Sequence, residues 1–244
     1  MKILGVIPAR YASSRFPGKP LIDLKGKSMI QRVVEQCQKS ELLNEVVVAT
    51  DDQRIFDHVK DFGGEVVMTS SNHPSGTDRC GEVAKSYPNF DVVINIQGDE
   101  PLIEPKQIDQ LCELFQDDSI QIGTLAKKIT DPNILSNPNR IKIAFGENNQ
   151  ALYFSRSPIP YLQGKEMGQW LSNNDYFRHI GIYGFKLSVL QEVIQLKPTQ
   201  LEKQESLEQL RWLYYGYKIQ VGLSEFETPN IDSPSDVEEV LKLI

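Results

Sequence analysis

The chain has 244 residues, of which 40% are hydrophobic and 24% charged, enough to bury a sizeable core in one domain. Its 26 Lys plus Arg against 33 Asp plus Glu give a formal net charge of -7, which argues against general binding to nucleic acid or anionic membranes. Three widely spaced cysteines, no apolar run of membrane-spanning length and no signal-peptide core predict a cytoplasmic protein with reduced, buried cysteines.

The first part of the chain alternates apolar runs of strand length with segments of helical period. A stripe from Ile30 to Cys37 predicts one helix, and Asp51 or Asp52 is placed to cap a second one that stops at 63–64. The predicted strands lack polar alternation and cover residues 2–7, 45–50, 65–68 and 91–97. Strands of this kind joined by helices predict a parallel sheet covered on both faces.

In the second half of the chain polar and apolar residues alternate more clearly, with a period of two. This pattern favours antiparallel or mixed strands. One long helix is predicted over 201–216, followed by a strand at 218–223 and a last helix with Ser233 as its N-cap. The stretch 163–175 is predicted to be a mobile loop. We find no internal repeat and no long linker, so we expect one domain over 1–244.

A local excess of positive charge follows the first predicted strand. Residues 6–21, VIPARYASSRFPGKPL, carry Arg10, Arg15 and Lys19, and the first acid of the chain is Asp23. Ligands of parallel sheets bind beyond the carboxyl ends of the strands, where guanidinium and ammonium groups suit a triphosphate. The stretch has neither the GxxxxGK[ST] nor the GxGxxG pattern, which leaves two interpretations open, a phosphate-binding loop and a solvated basic loop.

Acidic residues follow the fourth predicted strand in NIQGDEP, residues 95–101. Asp99 and Glu100 come after a glycine at the sheet edge, where a carboxylate can hold a hard divalent cation near phosphates. Acids after a strand are also ordinary turn residues, so the motif alone is a weak indication. Next to the basic loop it favours nucleotidyl or phosphoryl transfer.

The segment SGTDR, residues 75–79, opens a predicted helix after the third strand. The segment offers hydroxyls, backbone amides and Arg79, which are groups suited to hydrogen bonds with the edge of a nucleotide base. A plain helix N-cap at Ser75 or Thr77 describes the same residues equally well, and both interpretations can hold together.

Two later segments carry polar rings and carboxylates. In YFRHIGIYG, strand alternation puts His179 and Tyr183 on one face with Gly181, which leaves room for a ligand between the rings. On the predicted 201–216 helix, Glu208 and Gln209 belong to a polar face that either contacts sugar hydroxyls or is simply solvated.

Eight segments form an ordered set of motifs from residue 3 to about residue 240. They are IPARYASSRFPGKPL, SGTDR, QGDEP, NPNRIKI, ALYFSRSPIPY, RHIGIYGF, LEQLRWLYYG and NIDSPSDVEEV. This set resembles the 3-deoxy-manno-octulosonate cytidylyltransferases, the CMP-Kdo synthetases. The resemblance implies transfer of CMP from CTP to the anomeric hydroxyl of 3-deoxy-manno-octulosonate (Kdo), with pyrophosphate as the second product, as a step of lipopolysaccharide biosynthesis.

The resemblance also implies roles for individual residues. It places the CTP phosphates on Arg10, Arg15 and Lys19, and Mg²⁺ on Asp99 and Asp232. The further CTP contacts that it implies are Ala9, Ser75, Gly76, Arg79 and Gln97. The implied sugar contacts are Arg156, His179, Tyr183, Glu208 and Gln209. Arg156 is the first choice for the sugar carboxylate because a guanidinium fork suits that group, and Lys142 ranks below it.

The family has a nucleotide-diphospho-sugar transferase-like, Rossmann-like α/β fold, uses Mg²⁺ and is usually a homodimer in the bacterial cytoplasm. We therefore expect a mixed, mainly parallel sheet with helices on both faces. We also expect strands within 120–190 to contribute to the sugar site and to the dimer contact. The sugar hydroxyl is expected to attack the α-phosphorus of CTP in line, and no spacing in the sequence suggests a covalent nucleophile.

Departures from the family pattern are few. Ser233 stands where Thr is common, and Tyr161 stands in the sugar motif where Trp is common. A CMP-sialate synthetase is a competing interpretation, although those enzymes typically carry a Gly-Ser-Lys-Gly type of loop where this chain has residues 13–18, SSRFPG. A nucleotide-binding regulatory protein is a second, although pure binding needs no pair of metal carboxylates. The choice between Kdo and a close variant such as its 8-amino analogue stays open.

Overall fold

The computed structural model describes residues 1–12 and 16–244. Its strands are β1 (Ile3–Ala9), β2 (Glu45–Thr50), β3 (Glu65–Met68), β4 (Val92–Asn95), β5 (Ile122–Lys128), β6 (Lys142–Phe145), β7 (Ala151–Ser155), β8 (Phe177–Lys186) and β9 (Ile219–Leu223). Its α-helices are α1 (Met29–Cys37), α2 (Gln53–Asp61), α3 (Gly76–Lys85), α4 (Pro105–Leu114), α5 (Pro132–Ser136), α6 (Trp170–Asn173), α7 (Leu187–Val193), α8 (Gln200–Glu205), α9 (Gln209–Tyr214) and α10 (Asp236–Leu241). Short 3₁₀ turns cover Lys19–Leu21, Glu147–Asn149 and Met167–Gln169.

The described strands form one sheet in the order β3-β2-β1-β4-β8-β5-β9, and β6 pairs with β8 and with β7. The pairs within β1 to β4 are parallel, and so is the pair of β5 and β9. β8 runs antiparallel to β4, β5 and β6, and β7 runs antiparallel to β6. Within the described residues the sheet is mixed, with β7 and β8 opposing the other strands, which confirms the predicted fold class.

Apolar side chains on both faces of β1 explain why helices cover both faces of the sheet. Ile3 and Ile7 pack with α1, α2 and α4 in one core cluster, whereas Leu4 and Val6 pack with α3, α7 and α9 in another. Burying such a side chain contributes roughly 1.5 to 3 kcal/mol. Alternate residues of one strand therefore hold helix layers on opposite faces.

The helices of the first half begin where polar side chains cap them. The Ser28 hydroxyl accepts a hydrogen bond from the Gln31 backbone N–H at 3.2 Å and starts α1. Asp52, one of the two predicted candidates, caps α2, and Gly63 follows that helix with a φ of +78°. Ser75, one of the two predicted candidates, caps α3. Each cap satisfies a backbone N–H that the helix leaves without an internal partner.

The prediction of one long helix over 201–216 is wrong. The chain forms α8, then turns at Ser206 with a φ of +51°, and only then forms α9. The turn directs the side chains on its two sides to different partners: Glu205 accepts from the hydroxyl of Ser155, and Glu208 accepts from the hydroxyl of Ser75. Tertiary contacts of these two carboxylates therefore override the helical period of the sequence.

Two smaller predictions also need correction. The stretch 163–175 contains the turn Met167–Gln169 and helix α6, and Trp170 within it is only 4% exposed. The last helix, α10, begins at Asp236 rather than directly after Ser233. Asp236 instead accepts hydrogen bonds from the backbone N–H and the hydroxyl of Ser233, which fastens the turn before the helix.

β5 and β8 are irregular where they pair. Between Thr124 and the next residue of β5, the partner on β8 changes from Tyr183 to Ile180, so β8 bulges there. The Thr124 hydroxyl donates to the Ile182 carbonyl at 2.7 Å and closes the bulge. Simple alternation therefore fails in the segment that sequence analysis assigned to the sugar.

All three cysteines, Cys37, Cys80 and Cys112, are free and buried, as predicted. Burial raises the pKa of the Cys112 thiol to about 12, which leaves it unreactive near neutral pH. In the part of the chain that the structure describes, none of the helices combines the length and the apolar character of a membrane span.

Candidate active site

The loop after β1 begins at the carboxyl end of that strand and is closed by a backbone hydrogen bond. The Gly18 N–H donates to the Tyr11 carbonyl at 2.9 Å. Gly18 has a φ of +73°, and a Cβ at this position would lie 3.2 Å from the Tyr11 ring. Both observations favour glycine here. Arg54, a residue of α2, forms a cation–π contact with the same ring, with its guanidinium carbon 3.3 Å from the ring centroid.

Lys19 lies at the centre of the polar groups that follow β1 and β4. Its Nζ donates to Asp99 Oδ2 at 2.8 Å and to the Ile231 carbonyl at 2.8 Å. Its side chain is 13% exposed and that of Asp99 24%. The basic loop and the acidic motif are therefore in direct contact, as their positions after neighbouring strands predicted.

The second predicted carboxylate, Asp232, reaches the same place from the other end of the chain. The Ile231 N–H donates to the Asp99 carbonyl at 2.9 Å, so the segment before Asp232 lies against the loop after β4. Asp232 Oδ2 accepts from Asn230 Nδ2 at 3.0 Å. Below these residues a small apolar cluster joins the basic-loop side to α10; its buried members are Leu24, Met29, Ile231 and Val240.

The donor set fits a magnesium ion that phosphates also ligate. Asp99 and Asp232 both line one cavity and present hard oxygen ligands. Groups of three or more His, Cys, Asp or Glu suited to a metal are absent among the described residues. Mg²⁺ is usually held by one or two carboxylates together with substrate phosphates and water, so a pair of carboxylates beside the ammonium group of Lys19 meets its requirements.

Two adjoining cavities open at this end of the sheet. The first, of about 370 Å³, lies between Asp99 and the start of β8; the second, of about 670 Å³, extends from Arg156 to the turn before α10. Asn139, Arg140 and Asp232 line both. The two cavities therefore form one continuous polar groove. The segments before β6 and before α10 form the wall that the two cavities share.

The N-terminus of α3 presents polar groups beside β1. Gly76 packs against Pro8, and a Cβ at Gly76 would lie 3.4 Å from the proline ring. The hydroxyls of Ser75 and Thr77 donate to the two carboxylate oxygens of Glu208, at 2.9 and 2.7 Å. Burial raises the pKa of Glu208, and these two hydrogen bonds oppose that rise. The predicted CTP segment and a predicted sugar residue thus lie together.

Arg79, predicted to contact the base or ribose, lies elsewhere. Its side chain is 0% exposed, and its guanidinium donates to Asp51 at 3.0 Å and to the hydroxyl of Thr69. A fully buried guanidinium presents no surface to a base, so the structure contradicts a direct contact. Arg79 instead ties α3 to the ends of β2 and β3.

The two other cations of the basic loop are Arg10 and Arg15, and of these the structure describes Arg10. Arg10 follows Ala9, the buried last residue of β1, and donates to the His73 carbonyl before α3. Arg10 therefore joins the two loops predicted to hold CTP. Arg15 lies outside the described residues, so its assignment to phosphate stays a prediction.

His179 and Tyr183 lie on one side of the sheet with ring centroids 5.1 Å apart, as predicted. Burial lowers the pKa of His179 to about 3, so the ring is neutral at pH 7, and its Nε2 lies 2.9 Å from the Thr124 hydroxyl. Burial raises the pKa of Tyr183 well above its ordinary value, and its hydroxyl has no hydrogen-bond partner among the described residues. Gln97 reaches the bulge between them and donates to the Gly181 carbonyl at 2.9 Å.

The predicted carboxylate ligand Arg156 is already engaged. Its guanidinium donates to the carbonyls of Glu205 at 2.6 Å, Pro138 at 3.1 Å and Ser206 at 3.4 Å. Lys142, the lower-ranked candidate, is 0% exposed, so the structure contradicts a direct ligand contact for it. Gln209 is 5% exposed at the start of α9, next to Glu208.

Sequence analysis missed three residues that line the first cavity. Arg178 and Gln107 are 8% and 1% exposed. Arg140 is exposed and lies in the motif NPNRIKI, and Arg178 lies in RHIGIYGF next to His179. Both motifs offered a signal, whereas Gln107 lies in α4, where the sequence shows no motif.

Comparisons with known proteins agree with this geometry. A cytidylyltransferase family model matches residues 4–219. A 3-deoxy-manno-octulosonate cytidylyltransferase from Parabacteroides distasonis is 52% identical over 249 residues, which cover 100% of this chain and 98% of the relative. The chain belongs to the 3-deoxy-manno-octulosonate cytidylyltransferase family. The family member from Bacteroides thetaiotaomicron is 51% identical over 99% of each chain.

Solved structures support the family and the fold. A CMP:2-keto-3-deoxy-manno-octonic acid synthetase, solved in complex with CTP, matches with a TM-score of 0.92 at 41% identity and covers 100% of this chain and 98% of its own. A 4-diphosphocytidyl-2C-methyl-D-erythritol synthase from Anaerococcus prevotii matches with a TM-score of 0.64 at 12% identity, over 99% and 98% of the two chains, and shares the fold alone. The expected nucleotidyltransferase-type fold is thus confirmed.

Proposed function

We propose that this family member transfers CMP from CTP to the anomeric hydroxyl of Kdo and releases pyrophosphate. The observation that carries the proposal is the contact of Lys19 with Asp99 and with the backbone next to Asp232. It brings a cation suited to phosphate and two carboxylates suited to a divalent cation to one point at the carboxyl ends of β1 and β4. Nucleotidyl transfer needs this combination, whereas plain nucleotide binding does not.

In the proposed reaction the anomeric oxygen forms a bond to the α-phosphorus of CTP. The bond between that phosphorus and the bridging oxygen of the β-phosphate breaks, pyrophosphate leaves with the electron pair, and the proton of the sugar hydroxyl passes to solvent water. Lys19 and Arg10 neutralise the charge of the departing pyrophosphate, and Arg15 is assigned the same role from the sequence. Asp99 and Asp232 would hold Mg²⁺, and the bound ion would supply Lewis-acid polarisation of the α-phosphate.

The nucleoside is assigned to the side of the groove formed by the start of α3. Ser75 and Gly76 offer a hydroxyl and backbone groups there, and Gln97 lies at the end of the neighbouring strand. The sugar is assigned to the side formed by β8 and α9. There Glu208 accepts hydrogen bonds, and the Tyr183 hydroxyl and the neutral His179 ring supply further polar groups.

Three further features belong to the proposal and rest on family membership. They are the use of Mg²⁺, a cytoplasmic place in bacterial lipopolysaccharide biosynthesis, and assembly as a homodimer through residues 120–190. Exposed apolar side chains in that range suit a contact between copies: Leu152, Tyr161 and Met167 are 65%, 75% and 48% exposed.

Pyrophosphate release tests the proposed reaction. The protein is incubated with CTP and Mg²⁺ alone, or with added Kdo, 8-amino-Kdo or sialic acid. We expect release that requires both CTP and a Kdo-type sugar. Preferred use of sialic acid would identify a CMP-sialate synthetase, and CTP binding without any release would identify a regulatory protein; either result contradicts the proposal. The ratio of rates with Kdo and its 8-amino analogue settles which sugar the groove prefers.

A further inference from the structure

The residue before Asp232 is held on both sides of its peptide unit. Residues 224–232 form neither helix nor strand, so the place of Asp232 depends on individual contacts. The Ile231 N–H donates to the Asp99 carbonyl at 2.9 Å, and the Ile231 carbonyl accepts from Lys19 Nζ at 2.8 Å. The backbone that leads into Asp232 is therefore tied to the loops that follow β1 and β4.

The backbone that leads out of Asp232 is held by one carboxylate oxygen. Asp236 Oδ2 accepts from the Asp232 N–H at 2.9 Å, from the Ser233 N–H at 2.7 Å and from the Ser233 hydroxyl at 3.0 Å. Hydrogen bonds to an ionised carboxylate are stronger than those between neutral groups. Asp236 is the first residue of α10, so the position of that helix determines the position of Asp232.

The small apolar cluster under the site fixes α10 in turn. Val240 is the buried residue of this helix, and the cluster is separate from the two core clusters on the faces of the sheet. Partly buried Phe16 of the basic loop and Leu102 after β4 pack against it. Its buried side chains, each at most 1% exposed, are Leu24, Met29, Ile231 and Val240. The helix therefore packs with the segments that carry Lys19 and Asp99.

The three acids of the first turn of α10 differ in their surroundings. Asp236, Glu238 and Glu239 all lie where a negative charge stabilises the helix N-terminus. Glu238 and Glu239 are exposed, whereas Asp236 is half-buried and turned back onto the backbone of Asp232 and Ser233. A helix that only ended the chain would gain the same stabilisation from the two exposed acids. The contacts of Asp236 indicate a further role.

We propose that Asp236 and Val240 are positioning residues that hold the Asp232 carboxylate at the cation site. Asp236 acts through the backbone of Asp232, and Val240 acts by holding α10 against the loops after β1 and β4. The inference rests on the proposed function, because the role of Asp232 as a ligand of Mg²⁺ belongs to that function. Residues that orient a metal ligand commonly change metal affinity or activity tenfold to a hundredfold when they are altered.

Steady-state kinetics of Asp236→Ala tests the positioning role. We expect kcat to fall about tenfold to a hundredfold, and the Mg²⁺ concentration that gives half the maximal rate to rise about tenfold. The KM for Kdo should stay within about twofold, because the sugar is assigned to the other side of the groove. A role in stability alone would reduce the amount of folded protein and leave the Mg²⁺ requirement unchanged.

Three further variants sharpen the kinetic test. Asp236→Asn keeps an acceptor oxygen beside the two N–H groups, so most of the lost activity should return. Val240→Ala should shift kcat and the Mg²⁺ requirement in the same direction as Asp236→Ala, by a smaller factor. Glu238→Ala is the matched control, because it removes the same charge from the same helical turn. An unchanged Mg²⁺ requirement in Asp236→Ala, or an equal change in Glu238→Ala, would overturn the inference.

Hydrogen exchange of the protein without CTP and Mg²⁺ separates this inference from the proposed function. We expect Asp236→Ala to exchange its amides within residues 230–233 at least about tenfold faster than wild type, with β1 and β4 unchanged. This result supports the positioning role even if wild type releases no pyrophosphate, in which case only the proposed reaction fails. Unchanged exchange within 230–233, or an equal acceleration along the whole chain, refutes the positioning role even if wild type turns over.

Discussion

The two halves of the sheet bring their polar groups to one groove by different means. In the half built from β1 to β4, Lys19 and Asp99 both follow the ends of adjacent parallel strands, so the strand register brings their two loops to one edge of the sheet, where the two side chains hydrogen-bond. In the half built from β5 to β9, the second carboxylate lies beyond the last strand on a segment held by side chains. Arg178 pairs with Glu227, and Thr228 donates to Glu100 at 3.0 Å.

Site residues that follow regularly paired strands can therefore be predicted from the sequence, whereas site residues on a segment held by individual contacts cannot. A parallel strand delivers whatever follows it to one edge of the sheet. A segment without secondary structure is positioned by individual hydrogen bonds and ion pairs with distant parts of the chain. The predictions that follow test one half against the other.

The largest effect is expected where the two halves meet. Asp99→Asn and Asp232→Asn should each lower turnover at least about a thousandfold, because each removes one of the two carboxylates proposed to hold the divalent cation. Pyrophosphate release measures the loss, and circular dichroism checks that the fold is kept. Asp117→Asn, in the cavity at the other end of the sheet, is the control. Near-normal turnover of either site variant would remove that residue from the metal site.

The next largest effect is expected on the free energy of unfolding, from the buried ion pair in the parallel half of the sheet. Arg79→Met leaves Asp51 without its buried partner, and we expect the free energy of unfolding to fall by about 3 kcal/mol. Arg54→Met breaks an exposed pair with Asp52, with an arginine side chain 59% exposed, and should destabilise the fold much less than Arg79→Met. Urea denaturation of both variants compares them. Equal losses would show that burial of Arg79 contributes nothing particular to this half.

The antiparallel half should show its own dependence on pH. Because the folded-state pKa of His179 is lowered to about 3, the unfolded state binds a proton there first, and stability is lost as pH falls below about 6.5. Between pH 7.5 and 5.5 this loss is about 1.4 kcal/mol. His179→Gln, which can still hydrogen-bond Thr124, should lack it. The measurement is the difference between the unfolding free energies of wild type and variant at the two pH values; a constant difference would contradict a neutral buried ring.

The smallest effect is expected at the start of α8. Thr199 and Glu202 form a capping box, with the Thr199 hydroxyl accepting from the Glu202 N–H at 3.3 Å. Thr199→Ala should lower the free energy of unfolding by about 1 kcal/mol, and Thr199→Ser by much less. Thermal denaturation is sensitive enough to separate them. Identical melting temperatures for the two variants would show that the cap does not anchor the helix break before the sugar side of the groove.

Much of the first half was readable from the residues. Strands β2 and β3 have the predicted bounds, Ser75 caps α3, and the apolar stripe of α1 faces the core. These features depend on contacts close in sequence or on the period of buried side chains, both of which a sequence displays. The family motifs likewise indicated Asp99 and Asp232 before any geometry was known.

The order of residues is enough to establish the fold class, the family, and the presence of cations and carboxylates at the carboxyl ends of the strands. Which charged side chains are bound by internal partners depends on the folded chain. Arg79, Lys142 and Arg156 look like ligands in the sequence but are held by Asp51 or by backbone carbonyls, whereas the Arg140 guanidinium, which lines the groove, has no hydrogen bond or ion pair within residues 1–12 and 16–244. The reason is physical: a buried cation must find partners, and those partners come from distant segments that only the folded chain brings together.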